Sequence, residues 1–164
     1  GIGIMYNKKN KLIDINKYAK LVEDIFADMN LEVIIEPGRF LVGSSGIILT
    51  KIIRIKEGLG KKFLIIDAGM NNLLRPALYG AFHSILPVKI SKNFNKQTYD
   101  IVGPICETSD LFGKNIKLQK LNKGELVVIC STGAYASCMS SKYNLKDEAK
   151  EMFLKKTKIK VSNN

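Results

Sequence analysis

Leu31-Glu32-Val33-Ile34-Ile35-Glu36-Pro37-Gly38-Arg39 is the stretch on which the reading of the fold turns. An apolar run stops abruptly in an acid, a rigid Pro-Gly turn and an arginine. The pattern predicts a buried strand over 31–35 that delivers two opposite charges to the rim of a sheet, where parallel α/β folds place their ligands. The competing reading is a surface turn closed by an i,i+3 ion pair between Glu36 and Arg39. The rest of the chain has to decide between them.

Upstream, Tyr18, Leu21, Val22, Ile25, Phe26 and Met29 recur at helical spacing and predict an amphipathic helix over 15–29. Asp14 or Asn16 suits its start and Asn30 its end. Gly1-Ile2-Gly3-Ile4 reads as the end of a glycine-bearing strand or turn, where backbone N–H groups can approach an anion. Glycine turn, helix and apolar strand make part of a βαβ unit. Downstream the rhythm changes at about Gly43 to Gly46. Runs at 47–55 and 62–68, separated by a hairpin-like gap, are followed by shorter runs at 86–91, 98–105, 116–120 and 125–131. Strands so spaced, without helices between them, predict an antiparallel barrel or sandwich. The lysine-rich tail after Asn144 reads as a solvated terminus.

Composition is that of an ordinary globular protein, 46% hydrophobic and 25% charged. No run of about 18 apolar residues is present, and the start has neither a basic n-region nor a cleavage site, so no membrane partner and no export are expected. The net charge of +11 invites a nucleic-acid reading, but the excess is spread over 51–164 and is almost all lysine. Only Arg39, Arg54 and Arg75 carry the guanidinium fork that phosphate and base readout favours, and no nucleic-acid partner is expected. Cys106, Cys130 and Cys138 show neither CxxC nor Cys/His ligand spacing; they read as free thiols in a cytoplasm, with no metal site.

Polar residues gather at four more places. In Asp67-Ala68-Gly69-Met70-Asn71-Asn72-Leu73-Leu74-Arg75-Pro76-Ala77-Leu78-Tyr79, helical geometry puts Arg75 and Tyr79 on one face, able to hold one carboxylate; a surface arginine and a half-buried tyrosine is the plainer alternative. His83, alone, reads as structural. In Gly103-Pro104-Ile105-Cys106-Glu107-Thr108-Ser109-Asp110 a thiol, two carboxylates and two hydroxyls crowd together, with Cys106 and Glu107 pointing to opposite sides if extended. Gly133-Ala134-Tyr135 sets a phenol beside small residues, fitting either phosphate or close helix packing. The tail is the fourth.

Taken in register, Gly-Ile-Gly-Ile, Glu-Pro-Gly-Arg-Phe, Asp-Ala-Gly-Met with Arg-Pro-Ala-Leu-Tyr, Gly-Pro-Ile-Cys-Glu-Thr-Ser-Asp, and Gly-Ala-Tyr with Met-Ser-Ser-Lys-Tyr-Asn closely resemble the C-terminal portion of the diaminopimelate decarboxylase family. These are pyridoxal-phosphate enzymes of alanine-racemase-like fold, related to ornithine and arginine decarboxylases. The resemblance runs from Gly1 to about Asn144. It implies a mainly β, Greek-key antiparallel C-terminal barrel at 45–164, preceded at 1–44 by the last βα/β elements of a truncated (β/α)8 barrel. It further implies conversion of meso-diaminopimelate to lysine and carbon dioxide by the full-length family member, in a homodimer with shared active sites. By resemblance, Gly1, Gly3, Glu36, Gly38, Arg39 and Tyr135 bind pyridoxal 5'-phosphate, Glu36 facing the pyridine nitrogen. Arg39, Arg75, Tyr79, Glu107 and Tyr135 bind substrate, Glu107 at the distal amino end. Cys106, reaching over from the second subunit, matches the catalytic group that returns a proton.

The family's Schiff-base lysine belongs to an earlier part of the barrel, and no lysine here has a matching context. After Asn144 the family's arginine-proline stretch gives way to unrelated lysine-rich sequence. These departures lead us to expect a partial, split or decayed copy lacking an N-terminal barrel half, inactive alone. A non-catalytic β-barrel interaction module, or a decarboxylase of another basic amino acid, is the alternative.

Overall fold

The computed structural model describes residues 2–7, 11–58, 60–91 and 95–154. Helix α1 (Ile15–Phe26) forms where the apolar periodicity predicts it. The Asp14 carboxylate accepts hydrogen bonds from the N–H groups of Asn16 and Lys17, and a short 3-10 turn over Ala27–Met29 ends at Asn30, whose φ of 48° closes the helix in the left-handed region. The apolar stripe is present, yet α1 buries none of it among the described residues.

No strand forms over 31–35. A strand exists only through ladder bonds to a neighbour, and none of the described strands pairs with this run. Its side chains are exposed. Helix α2 (Gly38–Val42) follows directly, starting in the Pro-Gly turn.

Strands appear at each of the six expected places: β1 (Ile48–Gly58), β2 (Lys61–Ile66), β3 (Ile85–Pro87), β4 (Lys96–Val102), β5 (Leu111–Gln119) and β6 (Leu126–Ile129). Helix α3 (Arg75–Tyr79) lies between β2 and β3. The strands form one sheet in the order β3-β6-β1-β2-β4-β5, and β3 and β5 approach each other, nearly closing a barrel. Four neighbouring pairs are antiparallel. The pair β2–β4 is parallel, with Leu64 opposite Ile101, so the barrel is mixed rather than wholly antiparallel. Parallel neighbours need a long crossover, and the segment carrying α3 and β3 supplies it. That crossover also carries Arg75 and His83.

The barrel core is Ile52, Leu64, Ile66, Leu73, Tyr99, Ile101, Val127 and Ile129, all essentially closed to solvent. β1 shows how the sequence does this: Thr50 and Ile52 point inward while Leu49 and Lys51 face out, the alternation that a pleated strand imposes. The phenol in this core is satisfied, since the Tyr99 hydroxyl donates to Gln97 Oε1 at 3.2 Å and accepts from the Leu121 N–H at 3.1 Å.

The change of rhythm near Gly43 corresponds to a seam. The Thr132 N–H donates to the Gly46 carbonyl at 2.9 Å and the Gly133 N–H to the Gly43 carbonyl at 3.1 Å. These backbones nearly touch: a Cβ on Gly46 would lie 2.6 Å from Gly133 Cα, and one on Gly133 would fall on the Val42 carbonyl oxygen. Because the obstacle is backbone, Gly133→Ala must open the seam. We expect it to cost about 1–3 kcal/mol, seen as a lower denaturant midpoint; an unchanged midpoint would show that the seam yields freely.

Candidate active site

The turn after β2 is held from several sides. The Asp67 carboxylate accepts from the Thr50 hydroxyl and from the Lys51 N–H, and Thr50 Oγ1 in turn accepts from the Ala68 N–H at 3.0 Å. Asn72 Oδ1 caps the Gly69 N–H, and the side-chain amides of Asn71 and Asn72 both donate to the Asp147 carbonyl. Pro76 then fixes the first turn of α3. Gly80, with φ 59°, ends the helix after five residues, and the chain turns back.

That reversal brings His83 under Arg75. Arg75 Nη1 lies 2.9 Å from His83 Nε2, and His83 Nδ1 lies 2.9 Å from the Cys130 carbonyl oxygen. A carbonyl only accepts, so Nδ1 carries the hydrogen and Nε2 offers its lone pair to the guanidinium. Tyr6 closes the other side: Arg75 Cζ sits 4.6 Å from the centre of its ring, which meets the His83 ring edge-on at 5.0 Å. Ser84 anchors this tyrosine by donating to its carbonyl at 3.1 Å. The Tyr6 hydroxyl is buried without a partner among the described residues.

Arg75 is 8% exposed and His83 2%. No carboxylate among the described residues pairs with Arg75. A covered guanidinium whose neighbours are a neutral imidazole and an aromatic face has had part of its hydration removed without a counter-charge. Burial, and secondarily the Arg75 charge, hold the His83 imidazole below its ordinary value of 6.5, against the opposing pull of the Cys130 carbonyl. Tyr79, one turn beyond Arg75, is exposed and makes no hydrogen bond with it, so the helix over 75–79 forms but directs the two side chains to different surroundings.

Across the seam, Arg39 on α2 lies with Cζ 5.1 Å from the Tyr135 ring centre. Tyr135 takes φ 61°, a left-handed conformation that a bulky residue adopts only under constraint. Among the described residues no ion pair joins Glu36 to Arg39, so the closed-turn reading of this stretch is not realised. Glu36 is exposed, and a Cβ at Gly3 or Gly38 would meet nothing within 4 Å. Gly1 lies outside the described residues. A guanidinium beside a phenol suits a phosphate, and an exposed carboxylate suits a protonated ring nitrogen; in chemistry these residue types fit pyridoxal phosphate.

Cys106 and Glu107 occupy a turn, not an extended segment, because the Glu107 N–H donates to the Ile105 carbonyl. Asp110 builds this loop. Its carboxylate accepts from the N–H groups of Met70 at 2.7 Å and Ile105 at 2.8 Å, tying the loop to the turn before α3. Burial raises the Asp110 carboxyl above its ordinary value, and those two bonds oppose the rise. Cys106 and Glu107 are exposed; Glu107 Oε2 lies 3.5 Å from the Tyr143 hydroxyl. No hydrogen bond, ion pair or ring contact joins either residue to Arg39, Arg75 or Tyr135. The structure thus gathers Arg75 with His83 and Tyr6, and Arg39 with Tyr135, and leaves Cys106 and Glu107 facing outward.

The nearly closed barrel thus covers a guanidinium that has no counter-charge among the described residues, and a second guanidinium, Arg39, lies against the Tyr135 ring. The chain belongs to the family of pyridoxal-dependent decarboxylases, whose C-terminal sheet domain model matches residues 8–133. It is 38% identical over 161 residues to a diaminopimelate decarboxylase of Aquifex aeolicus, covering 98% of this chain and 38% of that protein. To the enzyme of that name from Neisseria meningitidis serogroup B it is 42% identical over 154 residues, covering 94% of this chain and 36% of the other. The crystal structure of Helicobacter pylori diaminopimelate decarboxylase complexed with L-lysine superposes with a TM-score of 0.81 at 40% identity, over 88% of this chain and 35% of that one. The chain therefore spans less than two fifths of the length of these relatives.

Neutral His83 makes stability depend on pH. Its folded value lies below 6.5, so under acid conditions the unfolded chain binds the extra proton. The contribution is fully present above pH 6.5 and is lost as pH falls through the folded value. In urea titrations the unsubstituted chain should lose stability more steeply than His83→Gln as the pH is lowered from neutral to below 6.5. Parallel pH curves for the two would mean that His83 is not held neutral.

Proposed function

We propose that this chain is the sheet-domain part of a carboxy-lyase that uses pyridoxal phosphate to convert meso-diaminopimelate to lysine and carbon dioxide. The observation that carries the reading is Arg75, covered and without a counter-charge among the described residues, in a domain of this family. Such a cation is completed by a carboxylate ligand, and a diacid supplies one that the reaction leaves in place.

Arg75 then orients the retained carboxylate, with Tyr79 at the rim. Glu107 receives the distal ammonium, helped by the Tyr143 hydroxyl at 3.5 Å. Arg39, Tyr135 and the N–H groups near Gly1, Gly3 and Gly38 hold the cofactor phosphate, and Glu36 keeps the ring nitrogen protonated. Pyridoxal phosphate, when bound, supplies the electron-withdrawing ring that stabilises the electron pair left on the α-carbon. Cys106 Sγ returns a proton to that carbon. Cys106 and Glu107, outward-facing here, serve the site of a second subunit in a homodimer, which accounts for their separation from Arg75. Free thiols at Cys106, Cys130 and Cys138 suit a reducing cytoplasm, and no described helix is long and apolar enough to cross a membrane.

The test is lysine formation from meso-diaminopimelate with added pyridoxal phosphate. The 164-residue chain alone should give none, whereas the chain joined in register to the N-terminal portion of the Aquifex aeolicus relative should give lysine. Glu107→Gln in that chimera should reduce the rate by roughly 100-fold, the scale of one charge-assisted contact. Decarboxylation of ornithine but not diaminopimelate would contradict the substrate assignment.

A further inference from the structure

We infer that His83 is a positioning residue, which in its Nδ1–H form fixes the Arg75 guanidinium in the orientation that receives a carboxylate. The inference rests on the carboxylate role of Arg75 given above and adds how that arginine is held.

Three constraints converge on the imidazole. The Cys130 carbonyl, presented at the end of β6, takes the Nδ1 hydrogen at 2.9 Å and leaves Nε2 bare. Nε2 then accepts from Arg75 Nη1, also at 2.9 Å, which sets the rotation of the planar guanidinium about its own axis. The Tyr6 ring covers one side of that plane at 4.6 Å and blocks the ring of His83 edge-on. The planar group is therefore fixed in two directions: in its plane by the lone pair, out of its plane by the phenol. The remaining N–H groups have no partner among the described residues and are left for the ligand.

The arrangement requires an acceptor, not a cation. A proton on Nε2 would place two positive groups 2.9 Å apart and remove the lone pair that orients Arg75. Among the described residues the groups in contact with the imidazole are Arg75, Tyr6 and the Cys130 backbone, and none of them is an acid. A histidine serving only as core filler needs neither the tautomer nor the acceptor.

Two isosteric substitutions separate the accounts. His83→Asn keeps a donor toward the Cys130 carbonyl but has no acceptor that reaches Arg75; His83→Gln can place its Oε1 near the former Nε2. With L-lysine as probe on the 164-residue chain, calorimetry should show binding weakened about tenfold or more in His83→Asn, and recovered to within about threefold of the unsubstituted chain in His83→Gln. Long-range proton–nitrogen NMR of the unsubstituted chain at neutral pH should show hydrogen on Nδ1 only. Equal lysine affinity in all three chains overturns the inference, as does a ring with hydrogen on Nε2. If the unsubstituted chain binds no lysine, the carboxylate role of Arg75 fails; the NMR tautomer still decides whether His83 orients Arg75.

Discussion

The relay from the Cys130 carbonyl through His83 to Arg75 is the contact on which the orientation of the covered guanidinium depends. It joins the end of β6 to the start of α3, two parts of the chain more than fifty residues apart in sequence. A guanidinium covered by a barrel tends to turn toward water unless something holds it. Here a neutral acceptor and an aromatic face hold it without cancelling its charge. A carboxylate in place of His83 would stabilise the arginine better and leave nothing for a ligand. The fold accepts a cation with no counter-charge among the described residues, and in the function proposed above that deficit receives an anionic group.

The parallel pair β2–β4 makes this geometry possible. Had β4 followed β2 by a hairpin, the residues between them would be a short turn. The parallel pairing forces a crossover, and the crossover contains α3, the Gly80 reversal and β3, so that Arg75 and His83 meet across that reversal. The seam at Gly43, Gly46 and Gly133 does a second job. By bringing two backbones together it places Arg39 on Tyr135, uniting stretches nearly a hundred residues apart. Asp110 does the same for the loop that carries Cys106 and Glu107, fastening it to the turn before α3 through the Met70 N–H.

Much of the barrel was legible because its strands carry their own signals: β-branched runs, two-residue alternation and turn residues at short intervals. Helix α1 was legible to its cap, since Asp14 and Asn30 are local choices. The parallel pairing was not, because strand order is set by which faces must be covered and by crossovers, not by any single run. The strand expected over 31–35 illustrates the converse, for an apolar run has the propensity but becomes a strand only with neighbours on the ladder. In the site, Arg75 and Tyr135 stood out as rare functional groups in small-residue surroundings. His83 was visible only as a solitary histidine, because its partners are one residue eight positions back and a backbone carbonyl that no sequence pattern marks. Tyr6 gave no signal at all; a tyrosine becomes a cation platform only through the fold. The five motifs shared with the decarboxylases, by contrast, were readable in order, and the family membership is where sequence and fold agree.

The most direct measurement is thermal unfolding of the unsubstituted chain and of Arg75→Met, each with and without saturating L-lysine. If Arg75 is a cation kept uncompensated for a carboxylate, Met of similar length should leave the ligand-free Tm within a few degrees or raise it, because a buried charge is exchanged for apolar packing. Lysine should raise the Tm of the unsubstituted chain and leave Arg75→Met unmoved. A deeply lowered Tm in Arg75→Met, together with an undiminished lysine shift, would make Arg75 a structural residue and contradict the account.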